Sequence, residues 1–162
     1  MLHYLKSGNS NKTIIFIHGN SQSAEHWRYF LDDVNLNSKY TMIALDLPGH
    51  GESFRSTDSA KDYSMIGISA HVEQTVRELN PDNYILVGTS LGSNIIGEII
   101  PRLKNCKGML IASCSIIGKG LTPDKILQPN PNLAPLFTPN PTDAEIDLLI
   151  ADMNHDINNE TR

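Results

Sequence analysis

Hydrophobic positions along this chain follow two alternating rhythms. Short apolar runs, Thr13-Ile14-Ile15-Phe16-Ile17, Tyr40-Thr41-Met42-Ile43-Ala44-Leu45, Tyr84-Ile85-Leu86-Val87 and Met109-Leu110-Ile111-Ala112, have strand length. They are rich in β-branched and aromatic residues and do not alternate with polar ones, which predicts strands covered on both faces. Between them, apolar residues recur at helical spacing. Trp27, Phe30, Leu31 and Val34 mark one face, with Ser23 as N-cap. Met65, Ile68, Val72, Val76 and Leu79 mark a second, over about Ser64 to Asn80, closed by Pro81. Leu91, Ile95, Ile96, Ile99, Ile100 and Leu103 mark a third, which Pro101 kinks or ends and on which Gly97 is placed for close approach to a sheet. Leu2 to Lys6 reads as a short edge strand and Ser7 to Lys12 as a turn.

Strands alternating with helices predict an α/β fold, a three-layer sandwich around a mostly parallel sheet. In such sheets, sites lie beyond the carboxyl ends of the strands. His18-Gly19-Asn20, Asp46 and Ser90 each follow a strand, so topology alone brings them to one edge.

After Ser115 the rhythm is lost. Pro123, Pro129, Pro131, Pro135, Pro139 and Pro141 crowd a stretch with few apolar runs. Residues 1–115 therefore read as a core and 116–162 as the start of a lid or cap. Thr142-Asp143-Ala144-Glu145 is a capping box ahead of one amphipathic helix carrying Ile146, Leu149, Ile150 and Met153. The polar end, Asn154 to Arg162, is expected to fray.

Composition narrows the function classes. A chain of 162 residues, 40% hydrophobic and 19% charged, suits one globular domain with a real core. A net charge of -5 with scattered Lys and Arg argues against a nucleic-acid partner. No apolar run is long enough to span a bilayer, and the N-terminus lacks the layout of a signal peptide. Cys106 and Cys114 fall at either end of one apparent strand, so no disulfide is expected between them. Reduced cysteines without metal-site spacing point to a cytoplasmic protein with no metal and no cofactor.

The chemistry concentrates in Gly88-Thr89-Ser90-Leu91-Gly92, a G-x-S-x-G between an apolar strand and a helical pattern. A serine in so sharp a turn needs small neighbours, and two glycines supply the room. The turn would lift the Ser90 hydroxyl clear of the sheet and aim the first helix amides at whatever it attacks.

Phe16-Ile17-His18-Gly19-Asn20, then Asp46-Leu47-Pro48-Gly49-His50-Gly51-Glu52-Ser53, then this turn stand in an order that resembles the α/β-hydrolase superfamily, in its single-domain esterase, lipase and peptidase branch. The resemblance covers about Leu2 to Ser113, with the fold broken off after about the sixth strand. It implies that Ser90 is a nucleophile and that the backbone N–H groups of Asn20 and Leu91 form an oxyanion hole, with His18, Gly19 and Thr89 lining the pocket. It also implies a later carboxylate and histidine, which this chain lacks. The only histidine after Ser90 is His155, in a polar stretch and read as solvent-exposed. Asp46 is expected to accept backbone N–H bonds in its own loop. His18 and His50 are expected to organise loops, His26 and His71 to lie on helix surfaces, and His3 to belong to the first strand.

The expected function is acyl transfer to water through an acyl-Ser90 intermediate on a small carboxylic ester, with this chain alone inactive or nearly so. The alternative is a non-catalytic ligand-binding or interaction module on the same fold. The strand Met109 to Ala112 carries no charge, Pro or bulge, so it is expected to be covered by the Pro-rich segment and following helix or by a second copy, a homo-oligomer through the sheet edge.

Overall fold

A computed structural model describes residues 1–113, 131–138 and 140–153. Five strands form one sheet: β1 (Tyr4–Ser7), β2 (Thr13–Ile17), β3 (Thr41–Leu45), β4 (Tyr84–Thr89) and β5 (Cys106–Ala112). Their spatial order is β1-β3-β2-β4-β5. Only β1 runs antiparallel; β2 pairs in parallel with β3 and β4, and β4 with β5. In register, Ile15 lies between Ile43 and Leu86, and Ile17 between Leu45 and Gly88.

Alternation along β2 builds two cores. Ile15 and Ile17, with Ile43, Leu45 and Leu86, meet Ile68, Val72, Val76, Ile95, Ile96 and Ile99. These come from two longer helices on one face, which follow three short ones: α1 (Arg28–Leu31), α2 (Val34–Asn37), α3 (Ser59–Asp62), α4 (Met65–Leu79) and α5 (Leu91–Ile99). Phe16, Met42 and Ala44 point the other way, onto Ala24, Trp27 and Leu31. This is the expected three-layer arrangement. Ser64 caps α4 by accepting from Gly67 N–H, and Asn80 ends it in the left-handed conformation (φ 44°).

The first helix departs from the single face read from Trp27 to Val34. It breaks into a 3-10 turn (Ala24–Trp27), α1 and α2. Asp33 restarts the chain by accepting from the Asn35 and Leu36 amides, and Val34 is left 76% exposed. Gly97 also differs from expectation: open space surrounds it, and the close approach is made by Gly92.

The strand expected to be covered on both faces, β5, is the last strand among the described residues. Met109 and Leu110 are 49% and 57% exposed. A register shift at Tyr84/Ile85 bulges the pair at its start, upstream of Met109. Cys106 is a free thiol; Cys114 and His155 lie outside the described residues.

The chain divides into two compact units, Met1–Leu121 and Thr122–Arg162. In the second, a 3-10 segment (Pro131–Phe137) precedes α6 (Asp143–Met153). Thr142 and Glu145 form the reciprocal capping box: Thr142 N–H donates to Glu145 Oε2, and Glu145 N–H to Thr142 Oγ1.

Candidate active site

β2, β3 and β4 end at Ile17, Leu45 and Thr89, so three loops meet at one edge of the sheet. Ser90 sits between the last residue of β4 and the first of α5, with φ 50° and ψ -117°. A residue with a Cβ is strained there, at about 1–3 kcal/mol. The surroundings hold the strain in place. Ser90 N–H donates to the Ala112 carbonyl at 2.9 Å, and the Ser90 carbonyl accepts from Ser93 N–H at 3.0 Å. The Ser93 hydroxyl lies 2.8 Å from both the Gly88 and Ala112 carbonyls. Ser93, unremarked in the sequence, thus ties the turn to β5.

The glycines make the turn possible by their lack of Cβ. At Gly92 a Cβ would run into the Ile17 carbonyl, and at Gly88 it would stand 2.7 Å from the Gly92 backbone. Helix α5 therefore starts against the end of β2, which brings the β2 loop beside Ser90. A Cβ on Gly19 would be 3.2 Å from Ser90 Cβ. Gly19 N–H donates to Gln22 Oε1 at 2.9 Å, and Ser21 is held at φ 59° in the same loop.

Leu91 opens α5, so its amide has no partner within the helix. Leu91 and Asn20 line one cleft of about 420 Å³ together with His50, Tyr63, Met65 and Ile68. Ser90 is exposed and precedes Leu91 in the chain, without itself lining the cleft. The remaining expected lining residues fall elsewhere. His18 is 0% exposed and stands behind the loop, because both its ring nitrogens are bonded inward. Thr89 points to the opposite face of the sheet, in a cleft with Phe16, Trp27 and Leu110, as strand alternation requires. Gly19 contacts Ser90 and Gln22 rather than the cleft wall.

Both charge-bearing candidates near Ser90 are engaged in holding loops. His18 Nδ1 donates to the Gly19 carbonyl at 2.7 Å, and Nε2 accepts from Leu47 N–H at 3.1 Å. That fixes a neutral tautomer, and burial pushes the imidazole down from 6.5 to about 4. Asp46, 3% exposed, accepts from Ala24 N–H at 2.7 Å, Glu52 N–H at 3.0 Å and His3 Nδ1 at 2.7 Å. Burial alone would raise this carboxyl; the two amides and His3 outweigh it and hold it below the usual range. Asp46 thus bonds within its own loop through Glu52, and also to a second loop and to the residue before β1. His3 was a strand residue in the sequence reading; its contact spans 43 positions and leaves no local signal.

His50 Nδ1 donates to Pro48 O at 3.0 Å. Among the described residues no histidine or carboxylate hydrogen-bonds the Ser90 hydroxyl. A second Ser–Asp–His cluster, Ser56, Asp62 and His71, places the carboxylate in the middle, 2.6 Å from Ser56 Oγ and 2.9 Å from His71 Nε2. Among the described residues no imidazole reaches that serine, so the cluster is a clamp and not a nucleophile–base pair.

Comparison with known proteins gives the same architecture. Residues 12–108 match the alpha/beta hydrolase fold family. An esterase of Mycobacterium tuberculosis is 38% identical over 107 residues, 59% of this chain and 34% of the relative. The dihydrolipoyllysine-residue acetyltransferase component of the acetoin cleaving system of Cupriavidus necator is 31% identical over 98 residues, 60% of this chain and 25% of that protein. The chain thus spans about a third or less of these two curated relatives. A solved N-acyl homoserine lactonase complexed with N-butanoyl homoserine superposes with a TM-score of 0.70, at 27% identity, over 81% of this chain and 47% of that one.

Proposed function

Because the chain belongs to the α/β-hydrolase family, we propose that it carries the nucleophilic half of a serine hydrolase acting on carboxylic esters. Ser90 Oγ attacks the ester carbonyl carbon while the amides of Leu91 and Asn20 receive the developing oxyanion. The carbon–oxygen bond to the alcohol breaks, the alcohol leaves with a proton, and water then cleaves acyl-Ser90 to the acid and free serine. The observation that supports this most is the backbone of Ser90, φ 50° and ψ -117° between β4 and α5. Strain of that kind persists where the surrounding structure over-determines it. The esterase and lactonase names among the relatives agree with an ester or lactone substrate.

The proton on Ser90 needs a base, and none of the described histidines is bonded to it. That favours a second reading, in which the cleft binds an ester without turning it over. The two separate in one assay. The 162-residue chain is expected to hydrolyse phenyl acetate slowly, just above the buffer rate, because Ser90 attacks slowly without a bonded base while the two amides receive the oxyanion. Ser90→Ala should abolish the excess. Equal rates for the two proteins would overturn the nucleophile assignment and leave the binding reading.

A further inference from the structure

The cleft beside Ser90 has a chemical character that goes beyond the reaction type. Its wall opposite Asn20 and Leu91 is built by Tyr63 and the first turn of α4, Met65 and Ile68. Among the described residues no Lys, Arg, Asp or Glu lines it. Its polar atoms are partly spoken for: the Tyr63 hydroxyl accepts from Ser56 N–H at 2.8 Å, and His50 Nδ1 donates to Pro48 O. A carboxylate or ammonium at the end of an arm seated against Tyr63, Met65 and Ile68 would be desolvated with no charged residue beside it among the described ones, whereas each methylene seated there gains.

The wall is held from behind. Gly49, at φ 80°, brings bare backbone against the Tyr63 ring; a Cβ there would lie 3.1 Å from Tyr63 Cε1. Asp62, next to Tyr63, bonds both the Ser56 hydroxyl and His71 on α4. The His71 ring packs edge-on to Phe54 at 5.0 Å. At Gly67, a Cβ would strike the Lys61 carbonyl, so the end of α3 lies directly on the first turn of α4. The segment from Phe54 to Tyr63 is thus folded back and fastened.

We propose that this cleft takes an uncharged, apolar arm of the ester, seated on Tyr63, Met65 and Ile68, and that Asp62 and His71 are positioning residues that keep Tyr63 in the wall. The proposal rests on the assignment of Ser90 and its neighbouring amides as the reacting centre. Its volume of about 420 Å³ is at the lower end of small-molecule sites, which suits a short or medium chain.

The test is binding to the full 162-residue chain carrying Ser90→Ala, so that chemistry does not enter. Methyl esters of acetate, butanoate and hexanoate vary the acyl arm. Acetates of methanol, butanol and hexanol vary the other, and monomethyl adipate and 6-acetoxyhexanoate, which end the acyl or the alcohol arm in a carboxylate, are the charged controls. Amide shifts of Tyr63, Met65, Ile68 and Leu91 report occupancy. Affinity should rise about fourfold per added methylene in one series, which identifies the arm, and the ester ending that arm in a carboxylate should bind at least tenfold more weakly than its uncharged six-carbon counterpart. Met65→Glu, at a position already 40% exposed, should erase the chain-length dependence with the fold intact. Asp62→Ala should flatten the dependence, and Asp62→Asn, whose one oxygen still accepts from His71 and whose NH2 can donate to the Ser56 hydroxyl, should restore it. No dependence in either series, or equal binding of the six-carbon ester and its carboxylate-ended counterpart, would overturn the proposal. Because no step needs Ser90, that failure is distinct from failure of the nucleophile assignment, which the phenyl acetate comparison reads.

Discussion

His18 gives the sharpest test of the loop architecture. It is buried, neutral and bonded at both nitrogens, with its value lowered from 6.5 to about 4. Burial is the main cause; the Gly19 carbonyl and Asp46 act against it, while His50 and His26 add to it. In the unfolded chain the imidazole takes up its proton near pH 6.5; in the folded chain it waits until about pH 4. Between those values the unfolded state binds the extra proton, so stability is full above about pH 6.5 and falls as the pH drops. A shift of about 2.5 pH units, at about 1.4 kcal/mol each, comes to roughly 3 kcal/mol lost by pH 4. That is a large share of the 5–15 kcal/mol of an ordinary domain. Trp27, the single tryptophan, is packed on Phe16 with ring centroids 4.8 Å apart and reports unfolding by fluorescence. Urea titrations at pH 7, 6, 5 and 4 should show a slope near 1.4 kcal/mol per pH unit in the wild type. In His18→Asn the curve should start lower and lose that slope. The other histidines are common to both proteins and cancel in the difference. Parallel curves would refute the burial argument; where the variant fails to fold, the ring shifts of His18 in the wild type, titrating near 6.5, would refute it equally.

Asp46→Ala strands the buried Ala24 amide and the part-buried Glu52 amide and should cost about 2–4 kcal/mol, measured by the same titration. Asp46 itself, held below the usual carboxylate range, contributes stability that is present above about pH 4 and lost as the pH falls further, so Asp46→Asn should weaken that acid limb. Gly92→Ala, which drives a methyl into the Ile17 carbonyl, should destabilise by about 3 kcal/mol or prevent folding, while Gly97→Ala, in open space, should be neutral or slightly stabilising. If the exposed β5 edge pairs with a second copy, the purified chain should run as a dimer in light scattering and Leu110→Lys should return it to monomer; a wild-type monomer whose Met109 to Ala112 amides exchange freely rules that pairing out.

Much of this could be read from the chain itself because local chemistry and global position agreed. The runs at 13–17, 41–45 and 84–89 are strands because nothing in them competes with extension, and Ser64, Asn80 and Pro81 bound α4 by capping. The turn at Ser90 was legible because close backbone packing demands Gly88 and Gly92 together. What failed depended on capping and packing contacts that apolar periodicity does not encode. The periodicity from Trp27 to Val34 looked continuous, but Asp33 turned inward on its own chain and began a new turn. Met65 fitted the apolar stripe of α4, yet it faces the cleft, a fact set by how Gly67 seats α3. Met109 to Ala112 reads as a central strand by its two apolar faces, and burial on both faces is a property of neighbours, which no run of four residues encodes.

The residues most suggestive of acid–base chemistry, His18 and Asp46, serve the site by being unavailable for it. Each bonds residues from separate loops: His18 joins the β2 loop to Leu47 after β3, and Asp46 joins Ala24, Glu52 and His3. Both are buried, where a half-satisfied polar group would be costly, so the network holds its geometry or the edge does not form. Asn20 owes its place to the first of these links, Ser90 to the packing of Gly88 and Gly92 against β2 and to Ser93. Two mutually independent devices therefore converge on one cleft. A fold that needed only stability at this edge would have no use for a serine at φ 50°, since glycine would relieve the strain at that position. Among the described residues nothing bonds the Ser90 hydroxyl, and a side chain kept at so strained a position is the feature on which the proposal of Ser90 as nucleophile rests.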